Sequence, residues 1–139
     1  MDLPVVAAVA AGGILGSEAR YAVGLALPHP TAGWPMATFL INVSGCLLIG
    51  ALMVVLTEVT TPHRLARPFL GVGVLGGWTT FSTAMVDVVA LLRAGRPAVA
   101  LAYLAGTALA ALVATAAGVS LARRAAAGRR RVRTRRDAR

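Results

Sequence analysis

The sequence predicts an all-α membrane protein with four transmembrane helices. Three observations carry this expectation. Of 139 residues, 58% are hydrophobic and only 14% charged, against about 45–50% and about 25% in average soluble domains. The apolar residues gather into four windows, and about 20 apolar residues cross the hydrocarbon core as one helix. The charge is lopsided: all 14 basic residues are arginine, and nine of them lie at or beyond Arg123. So much apolar surface excludes disorder for most of the chain, and the polar shell of a soluble core is missing. Continuous windows of this length exclude the alternating strands, about 10 residues each, of a membrane barrel.

The first window is 3–27, interrupted by Glu18 and Arg20. Asp2 stands where a signal peptide would be positive, so this segment is expected to be retained. Pro28, Pro30, Gly33 and Pro35 break the chain before the second window, 36–57, which carries no charge. Thr60, Thr61 and Pro62 follow. The third window, 68–92, contains Asp87 alone. Arg93, Gly95, Arg96 and Pro97 form a tight turn, and the fourth window, 97–122, is uncharged. The organisation is thus one transmembrane domain, 1–122, and a basic tail, 123–139, predicted to be disordered. Cys46 is the sole cysteine, so no intrachain disulfide forms. His29 and His63 are far apart and suggest no zinc site.

Four spans place both termini and the middle loop on one side. That side carries Arg64, Arg67 and the nine tail arginines, against Arg93 and Arg96 opposite. Positive-inside bias puts both termini in the cytoplasm.

Polar residues inside the spans carry the functional expectations. Glu18 and Arg20 are two apart and do not face each other on a helix. Gly12, Gly16 and Arg20 form an i, i+4 stripe, which reads as a close helix contact ending at a charged anchor, or as plain small-residue packing. Thr38, Asn42 and Gly45 share a face. An amide in hydrocarbon must be bonded, so Asn42 either joins helices or donates to a passing solute. In the third span Gly71, Gly73, Gly76 and Gly77 precede Trp78, Thr79, Thr80, Phe81, Ser82 and Thr83. That run predicts a helix broken near the midplane, where backbone carbonyls or helix termini can meet an ion. Tyr103, Thr107 and Thr115 form a hydroxyl stripe on the fourth span.

These residues resemble the CrcB/Fluc family of fluoride channels. The resemblance rests on the run from Gly76 to Thr83, on Gly12-Gly13 with Gly16, Arg20 and Tyr21, and on Asn42, Gly45 and Gly50. It implies a four-helix subunit that pairs antiparallel, in dual topology, with a second subunit, itself or a paralogue. Two pores run along the interface. Asn42, the ring edge of Phe81, and Ser82, Thr83, Tyr103 and Thr107 then line the fluoride pore. Arg20 guards an aqueous vestibule, and the Gly76 and Thr79 carbonyls hold a structural Na+ at the dimer interface. The implied activity is passive fluoride export across the bacterial inner membrane, with lipid around the protein and no nucleic-acid partner. Two departures stand out: Ala84 occupies the position of the family's second phenylalanine, and Asp87 that of a glutamate. Homodimeric members insert in both orientations, so the arginine bias together with Ala84 points to one half of a heterodimer.

Rival readings are a small multidrug antiporter using Glu18 as its proton-coupled acid, and a non-transporting membrane partner or scaffold whose basic tail binds anionic lipid or nucleic acid. No nucleophile–base pair, metal cluster or phosphate loop suggests an enzyme.

Overall fold

The computed structural model describes residues 2–28 and 32–137, with side chains through residue 128. His29 and Pro30, two residues of the first joint, lie outside the described residues, as does Arg139 of the tail. The described chain is all helical and holds four helices long and apolar enough to cross a membrane. Helix α1 spans Leu3–Ala26, with Pro4 in its first turn, where a missing amide hydrogen is harmless. Helix α2 spans Met36–Val54 and ends in a π-helical turn, Val55–Val59. That turn closes when the amide and the hydroxyl of Thr60 both donate to the Val55 carbonyl, at 3.0 and 2.9 Å.

The third hydrophobic stretch is not one regular helix. Arg67–Leu75 is π-helical, α3 is the single turn Gly76–Trp78, and α4 spans Phe81–Arg93. Between them Thr79 (φ −79°, ψ 154°) and Thr80 (φ −150°, ψ 117°) are extended. Gly95, at φ 71°, turns the chain into α5, a conformation that glycine adopts without steric cost. Helix α5 spans Pro97–Asp137. Where the sequence predicts a disordered tail from residue 123, the backbone continues as helix, because alanine and arginine are both strong helix formers.

Packing follows the small residues. Helix α1 lies against Arg67–Leu75 and α3, while α2 and α4 both pack on α5. A Cβ at Gly12 would strike the Phe69 carbonyl, and one at Gly16 the Val74 carbonyl and the Trp78 amide. A Cβ at Gly77 would meet the Gly13 backbone in return. The two backbones therefore touch, which is how membrane helices associate when no hydrophobic force separates lipid from protein. The expected anchor ends this stripe: Arg20 Nε donates to the Gly77 carbonyl at 2.9 Å. A small buried cluster of Ala84, Leu91, Ala100 and Tyr103 seals α4 to α5, with Trp34 packed edge-on against Tyr103 and Phe39. Large apolar side chains such as Ile14, Leu15, Val72, Leu101, Leu109, Leu112 and Val113 point outward, as a lipid environment requires.

The two ends of the bundle are distinguishable. Asp2 pairs with Arg64 at 3.3 Å, and Glu58 accepts a forked bond from Arg123, 2.7 Å at its shortest. The start of α1, the loop before residue 67 and the exit of α5 thus share one end. Arg93 and Arg96 flank the turn at the other.

Candidate functional site

The chemistry of the third stretch begins with backbone groups that the break leaves over. In a continuous helix each carbonyl accepts from the amide four residues on. The Thr80 amide instead donates to Asn42 Oδ1 at 2.8 Å, which takes it from the Gly76 carbonyl. The Thr83 amide donates to Thr80 Oγ1 at 3.1 Å, which takes it from the Thr79 carbonyl. These are the two carbonyls singled out in the sequence. Both carbonyl oxygens are thus left without these helical donors.

Asn42 answers the two readings left open above. Its Nδ2 donates to the Thr80 carbonyl at 2.9 Å while its Oδ1 accepts from the Thr80 amide. One side chain on α2 therefore replaces both helical partners of an extended residue, and the residue is buried. The amide carries two N–H groups, and this arrangement uses one. Asn42 joins helices, and it keeps a donor in hand.

Thr80 is the residue that sequence reasoning passed over. It caps α4, accepting from the Thr83 amide, and its hydroxyl donates to Thr83 Oγ1 at 3.0 Å and lies 3.3 Å from Ser82 Oγ. A threonine three residues ahead of another hydroxyl at a helix start is a capping signal. It becomes readable once the break is placed between 78 and 81. Behind the break, Trp78 Nε1 donates to Ser44 Oγ at 3.0 Å, a second tie to α2. Thr79 bonds back to the Leu75 carbonyl at 3.0 Å.

Two cavities meet at Thr80. One, of about 360 Å³, is lined by Asn42, Thr79, Phe81, Ala84, Tyr103 and Thr107 among others. The other, of about 440 Å³, is bordered by Glu18, Arg20, Tyr21, Thr38 and Thr83. Thr80 borders both. The structure thus gathers Asn42, Phe81, Tyr103 and Thr107 on one side, and Arg20 and Thr83 on the other. Ser82 borders neither cavity; it is exposed beside Thr80. Thr115 lines neither cavity, and its hydroxyl bonds back to the Ala111 carbonyl at 2.9 Å.

Phe81 is 75% exposed at the first turn of α4, where unpaired amides and the helix dipole also place partial positive charge. Tyr103 is fully buried and donates to Asp87 Oδ2 at 3.4 Å. The Thr38 and Thr107 hydroxyls neighbour the same phenol. Two helices, α2 and α5, therefore bring hydroxyls to one point, and α4 adds the Asp87 carboxylate. Ala84 is buried in the core cluster and also lines the first cavity. No group of three or more His, Cys, Asp or Glu side chains converges among the described residues. What the two cavities offer an ion is neutral donors, a ring edge and one guanidinium, with the Glu18 carboxylate beside it.

A family described as "CrcB-like protein, Camphor Resistance (CrcB)" matches residues 7–119. The chain is 58% identical to "Fluoride-specific ion channel FluC 2" of Streptomyces avermitilis over 104 residues, 75% of this chain and 66% of that protein. It is 55% identical to "Fluoride-specific ion channel FluC 1" of Streptomyces coelicolor, over 87% of this chain and 79% of the relative. "Fluoride-specific ion channel FluC 2" of Nocardia farcinica is 47% identical over 94% of both chains.

Proposed function

The chain belongs to the CrcB family, and on that premise we propose that it is a fluoride channel, a transporter rather than an enzyme, that lets the anion leave the cell passively across the bacterial inner membrane. The observation that carries this reading is the pair of cavities meeting at Thr80, lined by donors and carrying no trapping cluster of cations. Fluoride holds its water tightly, so a pore must offer several donors in exchange. The spare N–H of Asn42, the hydroxyls of Ser82, Thr83, Tyr103 and Thr107, and the positive ring edge of Phe81 supply them. Each is neutral, and binding stays weak enough for release. Arg20 draws anions to the mouth. The inside-negative potential drives the anion outward by about 2.3 kcal/mol per 100 mV, so no coupling residue is needed.

The exposure of Phe81 supports a pore completed by a second subunit. In this reading the partner packs antiparallel against that face, in dual topology, and the break lies near the midplane of the bilayer. The Gly76 and Thr79 carbonyls hold Na+ at the dimer interface. When bound, the ion supplies a fixed positive charge beside the break. The basic end of the bundle, with both termini, faces the cytoplasm.

Liposomes loaded with fluoride test the site. The wild-type protein is expected to release fluoride and retain chloride, and Phe81→Ile to slow release by about tenfold or more. Equal rates in the two proteins overturn the assignment of Phe81.

The arginine bias and the buried Ala84 support a finer proposal, that this chain is one half of an unlike pair. Expressed alone, it is then expected to conduct poorly and to recover on co-expression with an oppositely inserted paralogue. A conducting antiparallel homodimer from the single chain refutes the pairing and leaves the channel standing.

A further inference from the structure

Glu18 is a charged residue of the first span that the proposed function does not use. It sits eight residues from the end of α1, about 12 Å along the axis, and it is exposed. It borders the same 440 Å³ cavity as Arg20. The two are on one helix but do not face each other, and no ion pair joins them among the described residues. Arg20 is oriented by its bond to the Gly77 carbonyl, while no hydrogen bond holds the Glu18 side chain there. From α2 the cavity receives Ala37, Thr38 and Ile41, and from the break Thr80 and Thr83. Tyr21 is its one other titratable side chain. Its fixed charges are therefore one guanidinium and one carboxylate.

We infer that Glu18 sets the throughput of the channel by opposing Arg20 at the mouth, so that the vestibule concentrates anions less than the arginine alone would. This inference rests on the channel reading. A charge in a low-dielectric cleft changes the local concentration of a passing ion several-fold, and salt screens it over about 10 Å at 0.1 M. Glu18 takes no part in the Asn42–Thr80 bonds that hold the break or in the buried cluster, so its replacement leaves those ties in place.

The experiment compares initial fluoride efflux for wild type, Glu18→Gln and Glu18→Lys in the conducting assembly, at low and at high ionic strength set with an impermeant salt. Glu18→Gln is expected to release fluoride about threefold faster at low salt, and Glu18→Lys faster again. The differences should shrink at high salt. Equal rates at low salt, with wild type conducting, overturn the inference and leave the channel reading untouched. A gain that persists at high salt marks a structural effect and overturns it too. No efflux from wild type, with or without a paralogue, removes both.

Discussion

Asn42→Asp is expected to lower fluoride efflux by about 10²-fold or more, the loss typical when a preorganised donor is removed from a charge-handling site. The two side chains are nearly isosteric, so packing against α5 is preserved. The chemistry is not. The Oδ1 that accepts from the Thr80 amide survives, but the Nδ2 that donates to the Thr80 carbonyl becomes an oxygen facing an oxygen. The site is buried, and an unpaired charge there costs several kcal/mol. The spare N–H is lost as well, and an anion entering the cavity now meets negative charge. The check is initial efflux alongside gel filtration, which separates a dead pore from a lost fold. A monodisperse Asn42→Asp protein conducting within about twofold of wild type ends the assignment of Asn42.

Gly16→Ala is expected to destabilise the subunit by about 2–3 kcal/mol, at the upper end of overpacking effects. The added methyl would strike the Val74 carbonyl and the Trp78 amide, which are backbone atoms and cannot rotate away. To admit it, α1 must part from the third stretch, which also strips the Gly77 carbonyl of Arg20. Gly24→Ala is the matched control, since a methyl there meets nothing within 4 Å. Both proteins are compared by yield of monodisperse material and by thermal unfolding in detergent. If the two unfold alike, the backbone contact is not what holds α1 in place.

How much of this was legible differs by scale. The four helices were, because apolar runs of this length have one use. The Gly12, Gly16 and Arg20 stripe was legible down to its anchor, because spacing on one helix face fixes what can touch. Asn42 was legible as a residue that must be bonded, but its partner was not. That partner is the backbone of Thr80, and backbone partners leave no trace in side-chain types. The same limit hid Thr80 itself, one hydroxyl in a run of four. That the Thr115 hydroxyl turns back on its own helix is likewise hidden from periodicity. The π-helical winding of Arg67–Leu75 has no composition signal beyond its glycines.

The glycine contact between α1 and the third stretch has a consequence for how the chain is made. These are the two least apolar spans of the four, and one is synthesised well before the other. Each leaves the insertion machinery as a marginal lodger in lipid. Each also carries polar groups whose partners lie on a different span: Arg20 waits for Gly77, and the Thr80 backbone needs Asn42. The debt is settled only when the third stretch arrives beside α1 and α2. The contacts that satisfy these groups therefore form only after the third stretch has been made. A substitution at Gly16 would show up first as a protein cleared by quality control, before any current could be measured.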